Sequence, residues 1–225
     1  MNQVWDWGYA WEVLPILAQA AVITLQVTII GFFLALVIGL IFAAGRLMGP
    51  RWVQHGFSAI VEFIRSTPLL IQIFFLYYVL PDYGIAMDAY LTGVIALGLH
   101  YGAYCAEVYR SGLENVPKGQ WEAAHALNLG SWTTFKDIIL PQAIPPIVPA
   151  LGNYLVALFK ETPLLSAIAV LELMQTAKIL GSESFQYTEP ITIVGLFFLL
   201  FSLVCAYFIR RVEARLRTRQ GVHKA

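Results

Sequence analysis

The chain is expected to be all-α, an integral membrane helical bundle of five transmembrane helices, and three observations predict this. Of its 225 residues, 59% are hydrophobic and 12% charged, against about 25% charge in ordinary soluble domains. Uncharged runs recur that are long enough, at 1.5 Å per helical residue, to cross about 30 Å of hydrocarbon. The remaining basic residues are sorted to one side of those runs. The mean hydropathy, +0.69, agrees. A formal net charge of zero excludes a basic nucleic-acid binder. Cys105 and Cys205 both fall in apolar runs and read as buried thiols rather than a disulfide scaffold or a zinc site.

The elements follow in order. Trp5, Trp7, Tyr9 and Trp11 precede the first apolar run and read as an interfacial aromatic belt. Residues 1–11 carry Asp6 and no positive n-region, so the first span is expected to remain in the product as its own insertion signal. Residues 13–45 hold no charge over 33 positions. That predicts one long or tilted span at about 16–44, since a hairpin turning near Gly31 would leave each limb too short. The next uncharged run, 66–81, has only 16 residues. A span at about 57–80 results if the helix starts near Phe57 and carries Glu62 and Arg65 in its first turns, three apart on one face. Residues 82–88 form a tight polar connection. Further spans are expected at about 89–110, 138–159 and 190–210. Between the last two, Glu172, Lys178 and Glu183 disfavour a sixth span, and residues 164–187 are expected as a re-entrant or interfacial pair of short helices on the outer side. The whole, 1–225, reads as one domain ending in a basic tail at 210–224.

With five spans the two termini lie on opposite sides. Placing the amino terminus outside puts Arg46, Arg51, Arg65, Arg110, Lys118, Lys136 and the six basic residues of the tail inside, and leaves Lys160 and Lys178 outside, a split of 12 to 2. The positive-inside rule selects that orientation, with the carboxyl terminus cytoplasmic.

The segment 117–137 is then an inner loop. Pro117 and Gly119 break what precedes it, residues 120–129 are free of Pro and Gly, and Gly130 interrupts. Ser131 is placed to cap a second short helix through Phe135 before Pro141 begins the next apolar run. Two short helices at an angle make a rigid knob against which a soluble partner can push. Glu122, in the first turn of its helix, would favour the dipole and can pair with a base across a contact; otherwise it is a solvated surface charge. Trp121, Leu127 and Trp132 are apolar anchors for a partner or for seating the loop on the protein itself.

Glu122-Ala123-Ala124, followed by Ile139-Leu140-Pro141, resembles the signature loop of permease subunits of bacterial ABC importers. RSTPLLIQIFFLYY (65–78), GAYCAEVYRSGLENVPKGQ (102–120) and KETPLLSAI (160–168) resemble the polar amino acid uptake branch, of histidine, glutamine and arginine type, with the ectoine/hydroxyectoine branch as a variant. The resemblance covers much of residues 60–175. It implies a type I importer fold in the bacterial cytoplasmic (inner) membrane. It also implies an ATP-binding subunit dimer on the cytoplasmic side, a second permease subunit, identical or homologous, and an extracytoplasmic solute-binding protein. By the same resemblance the loop would couple to the ATPase, and the residues that match it are Gly119, Gln120, Trp121, Glu122, Ala123, Ala124, Leu127, Asn128, Gly130 and Pro141. ATP would be bound by the partner, leaving this chain without cofactor, metal or catalytic residue. Three positions depart from the pattern. Asn128 stands where Gly is usual, with Gly130 two residues later; Ser66 replaces a Gly, and Pro163 a Ser. Asn128 serves either as a helix former or as a residue whose amide holds the bend.

Candidate pathway or gate residues are those whose polarity is expensive at membrane depth. Glu62, Arg65 and Glu107 either pair between helices or snorkel from helix ends, unless function retains them. The resemblance puts Arg65, Thr67 and Pro68 near the inner end of the pathway. His100, mid-span, is either bonded to a neighbouring helix or in contact with solute. Lys160, Glu161 and Thr162 mark the outer end of the fourth span. The first two either receive a zwitterion or, pointing in different directions as neighbours on a helix do, form a salt bridge that closes an outer gate. Asn153 and Tyr154 are polar enough to line a pore.

No GxxxxGK[ST] occurs, so a transport subunit would take its energy from a partner. A membrane enzyme built on His100, His125 and Glu107 lacks HExxH, GxSxG and clustered metal spacing. A self-contained secondary transporter or channel would commonly have more spans or internal repeats. These absences favour a transport subunit driven by a partner, and the resemblance implies a permease subunit for polar amino acids or a related small zwitterionic solute such as ectoine.

Overall fold

The computed structural model describes residues 5–219, with side chains to Leu216; the remainder of the basic tail expected at 210–224 lies outside the described residues. Among the described residues the chain is helical, with no strand.

The first helix, α1 (Trp7–Met48), is capped by Asp6, whose carboxylate accepts the amide hydrogens of Gly8 and Tyr9. Its 42 residues reach about 63 Å, about twice the hydrocarbon thickness of a bilayer. Its first half packs on α8 (Leu173–Ser184) and α9 (Thr188–Arg219) through Val13, Leu17, Leu173, Ala177 and Val194. Its second half runs beside α4 (Ala89–Glu114). Small residues permit this close approach: a Cβ on Gly39 would fall 2.6 Å from that of Cys105, and one on Gly102 would meet Ile38 at 2.7 Å.

The span expected at 57–80 is two helices. The first, α2, runs from Arg51 to Ser66 and the second, α3, from Leu69 to Phe74, continuing through a π turn (Phe75–Val79) and a 3-10 turn (Leu80–Tyr83). The two limbs meet at 104°. Thr67 is extended (φ −106°, ψ 138°) because the following proline ring disfavours helical backbone there, and Pro68 has no amide hydrogen to continue the ladder. Glu62 and Arg65 therefore close α2, rather than open a straight span.

Helix α4 begins at the Asp88 cap and is central, touching α1, α2, α3 and the later α7 (Leu140–Glu161). The loop helix α5 (Lys118–Ala126) follows. Then α6 (Ser131–Thr133) passes through a π turn (Thr134–Ile139) into α7. The separate second loop helix expected from Ser131 is absent, because those residues wind directly into α7, and Gly130 rather than Ser131 is the cap. After α7 come a 3-10 turn (Thr162–Ile168), a left-handed residue at Ala169 (φ 58°) and α8. Among the described residues three helical stretches are long and apolar enough to cross a membrane, Trp7–Met48, Ser131–Ile168 and Thr188–Leu216, with a fourth if the bent pair is one span. Helix α4, with 26 residues, reaches about 39 Å. Its glycines, tyrosines and His100 lower its hydropathy, which its enclosed position tolerates.

The turn region before α9 is fastened by polar contacts. Glu172, fully buried, accepts the amide hydrogens of Met174 and Gln175 and so caps α8. The Thr24 hydroxyl accepts that of Leu173 at 3.1 Å. Tyr9 donates to the Leu180 carbonyl, and Glu189 accepts the Asp6 amide at 2.7 Å. Below, "upper" denotes the end where α1 begins and "lower" the end where it finishes.

Candidate functional site

A column of polar side chains runs inside the bundle, laid out by α4. His100, Tyr101, Tyr104 and Glu107 recur at three- and four-residue spacing, which places them on one face over about 10 Å. His100 Nδ1 lies 3.1 Å from Gln72 Oε1 of α3. The Gln72 amide nitrogen donates to the Ile64 carbonyl and the Thr67 hydroxyl, both at 2.7 Å. Its oxygen must therefore accept, which assigns the proton to Nδ1. Gln72 thus clasps both sides of the α2–α3 break. Thr67 also donates back to the carbonyls of Phe63 and Ile64. Tyr104 stands 5.2 Å from the His100 ring and 5.5 Å from Tyr154 of α7, centre to centre.

At the lower end Glu107 gathers three arginines. Arg46 of α1 meets Oε1 at 2.6 Å, Arg110 meets Oε2 at 2.8 Å, and Arg65 of α2 lies 3.4 Å from Oε1. Arg110 also pairs with Glu114, and Arg65 with Glu62 at 3.9 Å. Arg65 in addition stacks over the Tyr104 ring, 5.3 Å from its centre. One carboxylate thereby ties three helices together.

At the upper end the expected Lys160–Glu161 salt bridge is not formed among the described residues, because the two side chains diverge around α7 as adjacent helical residues must. Glu161 turns inward to face the Tyr101 hydroxyl, and its Oε2 is buried with no donor within 3.5 Å in hydrogen-bonding geometry. Lys160 turns outward into a cleft of about 260 Å³ with Pro163, Phe198, Leu199 and Ser202. Thr162 is buried and donates to the Phe159 carbonyl at 2.8 Å, and Asn153 is exposed.

The loop differs in detail from its sequence reading. Helix α5 starts at Lys118, so Glu122 lies in its second turn, away from the free amides of the first, and is exposed. The bend is made by Asn128 (φ 56°), not Gly130, which is extended. The Asn128 amide donates to the His125 carbonyl and that of Leu129 to Ala124, the paired bonds of a Schellman turn with Asn128 at its left-handed position. Asn is among the few residues besides Gly that adopt this conformation readily. This resolves the two readings of Asn128 against the helix former. Ala124 is buried, Trp121 is 43% exposed, and Leu127 and Trp132 exceed 70%. The larger apolar groups thus project outward instead of seating the loop. Gln120 accepts from Gln142 of α7 at 3.2 Å. Gly119 and Gly130 face open space, Ala123 is exposed, and Pro141 lies in the first turn of α7.

Gln72, Tyr101, Tyr104 and Arg46 were not singled out from sequence. The spacing 100, 104, 107 in an apolar helix is a signal for the tyrosines. Nothing in one chain predicts that Arg46 meets Glu107. Among the described residues no group of three or more His, Cys, Asp or Glu could hold a metal.

Residues 35–218 match the family described as binding-protein-dependent transport system inner membrane component. The chain belongs to that family. It is an inner-membrane, non-catalytic transport component. It is 46% identical over 220 residues (96% of this chain, 95% of the other) to the probable amino-acid ABC transporter permease protein y4tG of Sinorhizobium fredii. It is 33% identical over 214 residues (94% and 98%) to the glutamine transport system permease protein GlnP of Escherichia coli K12. It is 35% identical over 204 residues (88% and 87%) to the L-cystine transport system permease protein TcyB of Bacillus subtilis. The crystal structure of an amino acid ABC transporter with histidines superposes with a TM-score of 0.90 at 30% identity, over 94% of this chain and 99% of that one. The MetNI methionine ABC transporter in an inward-facing conformation shares the fold, with a TM-score of 0.77 at 20% identity over 91% and 98%. The fold is that of a type I ABC importer permease.

Proposed function

We propose that this chain forms one half of the membrane pathway of an ATP-driven importer for polar amino acids. The observation that carries the solute class is the buried, unpartnered Oε2 of Glu161 at the upper end of the polar column. A carboxylate oxygen buried without a donor is costly, and a solute ammonium group is a donor of matching charge. Relatives named for amino acid, glutamine and cystine transport support the same class.

The amino terminus lies outside and the carboxyl terminus is cytoplasmic, as the charge sorting requires, so the upper end of the column faces out and the α5 loop faces the cytoplasm. An ATP-binding subunit dimer docks there on Trp121, Leu127 and Trp132, with Glu122 beside them; it binds the ATP, and this chain carries no cofactor of its own. A second permease subunit, identical or homologous, closes the pathway along the exposed side of α7, where Asn153 lies. An extracytoplasmic solute-binding protein delivers the solute.

The test is uptake into vesicles holding the complete transporter, with radiolabelled polar amino acids and ectoine presented singly. ATP-dependent accumulation of at least one amino acid is expected, reduced at least about tenfold by Glu161→Gln, the loss of one buried charged partner. Accumulation of ectoine alone, or of none of the panel, would overturn the amino acid reading.

A further inference from the structure

We propose that Arg65 is a carboxylate-binding residue at the inner end of the column, taking the carboxylate of a departing amino acid on the Nε–Nη2 edge of its guanidinium. The inference rests on the amino acid reading above and adds the place where the solute leaves.

The guanidinium is half used. Both of its ion pairs, to Glu107 at 3.4 Å and to Glu62 at 3.9 Å, run through Nη1. Its Nε is buried with no acceptor. The Nε–Nη2 edge is the one that receives a carboxylate through two parallel hydrogen bonds. A cationic donor left without an acceptor in a buried position is a group that a ligand can satisfy. The side chain as a whole remains 34% exposed, so a solute can reach it after a small rotation.

Arg65 is also the dispensable partner of Glu107. Arg46 at 2.6 Å and Arg110 at 2.8 Å hold that carboxylate more closely. Glu107 therefore stays paired when Arg65 swings away. Arg46 and Arg110 are less free, since each is engaged at hydrogen-bonding distance. The location fits an exit. Arg65 covers the Tyr104 ring, which leads through Tyr154 and His100 toward the upper end. It also lies two residues before Thr67, beside the bend between α2 and α3. A solute entering with its ammonium toward Glu161 would leave with its carboxylate toward Arg65, so the two charges of one zwitterion are met at opposite ends of the column.

The test uses the complete permease–ATPase complex in lipid nanodiscs with 3-fluorotyrosine at position 104, whose ¹⁹F resonance reports the cation above its ring. The probes are L-glutamine, L-histidine and L-arginine at millimolar concentration, their carboxamides, and propionate. At least one amino acid is expected to shift the resonance, with its carboxamide at least about tenfold weaker and propionate, which keeps the carboxylate, shifting it as well. Arg65→Gln should abolish the response and Arg65→Lys should weaken it, since a lysine offers no two-pronged edge. A carboxamide as effective as the amino acid overturns the proposal, as do silence with propionate and a response that survives Arg65→Gln. The comparison of acid with amide is made on the unmodified Arg65, so it stands even if the variants fold poorly. Uptake of an amino acid whose addition leaves the resonance unmoved defeats the Arg65 site alone. An absence of any amino acid uptake defeats the functional reading beneath it.

Discussion

Glu107→Gln removes one charge at the point where three helices meet. The carboxylate is 21% exposed and its closest partner, Arg46, 14%, so the group is neither dry nor freely solvated. Breaking a fully buried pair while leaving the partner charged destabilises by about 3–5 kcal/mol. The residual water argues for the lower end, about 3 kcal/mol, because Arg46, Arg65 and Arg110 are left as neighbouring cations without their shared anion. For a chain of this size each kcal/mol moves the melting temperature by about 2–4 °C, so the midpoint should drop by about 6–12 °C. Arg110→Gln is the comparison. Arg110 is 32% exposed and its loss leaves Glu107 with two partners, which predicts about 1 kcal/mol. Cys105 supplies the assay, being fully buried two residues from Glu107. In a Cys205→Ser background, a thiol-reactive dye reports when α4 comes loose on heating. A drop for Glu107→Gln no larger than that for Arg110→Gln would show that the carboxylate does not organise the three arginines.

Further outcomes follow from individual positions. Pro68→Ala restores an amide hydrogen and frees Thr67 to become helical, so a spin-label distance across the bend between α2 and α3 should lengthen and uptake should fall; an unchanged distance with normal uptake refutes a role for the break. Asn128→Gly should be nearly neutral and Asn128→Val should cost about 1–2 kcal/mol at the left-handed position, lowering solute-stimulated ATP hydrolysis; equal stimulation in both would remove the Schellman turn from coupling. Glu122→Ala should leave protein abundance near normal, within about 0.5 kcal/mol, while uptake falls strongly; normal uptake returns Glu122 to a solvated surface charge. Burial raises the Glu172 carboxyl from 4.5 to about 7, against the pull of its two amide donors and Lys178. Its folded value lies above its unfolded one, so its neutral form favours the fold below about pH 4.5, and stability is lost as pH rises toward 7, by about 3 kcal/mol in full. Melting temperature should therefore fall between pH 5 and pH 8 less steeply in Glu172→Gln, measured side by side; parallel slopes contradict the assignment.

Much of the architecture could be read from charge and length, and the failures have local causes. Four of the expected spans overlap helices whose ends extend past the estimates, because a helix does not stop where charge begins. The fifth, at 57–80, was read from the absence of charge. Thr67-Pro68 carried the contrary signal, a proline whose predecessor avoids helical backbone. In the loop, Gly130 was the expected breaker, yet the turn is closed by carbonyls at Ala124 and His125, and those fix the left-handed residue at Asn128. The polar column was only half legible. His100 and Glu107 stand out in an apolar helix, but tyrosine counts as easily toward a core as toward a pathway. Gln72 gains its meaning from two backbone segments that meet only after α3 turns by 104°. Arg46 and Glu107 are 61 positions apart, a distance at which one sequence holds no pairing information.

The route from the lower loop to Glu161 is one continuous helical path. From Ser131 onward the backbone winds without interruption through the π turn into α7 and ends at Glu161, a rod of about 46 Å. Tilting such a rod by about 10° at its base carries its tip through about 8 Å, more than the width of a carboxylate and its hydration. Prolines at 145, 146 and 149 lie along it and will decide whether it pivots as one piece or flexes. Pivoting as one piece would make nucleotide state and carboxylate position a single coordinate. Mutations that soften the rod would then produce leakage, with ATP hydrolysed at normal speed and no solute moved, a phenotype distinct from loss of binding at either end.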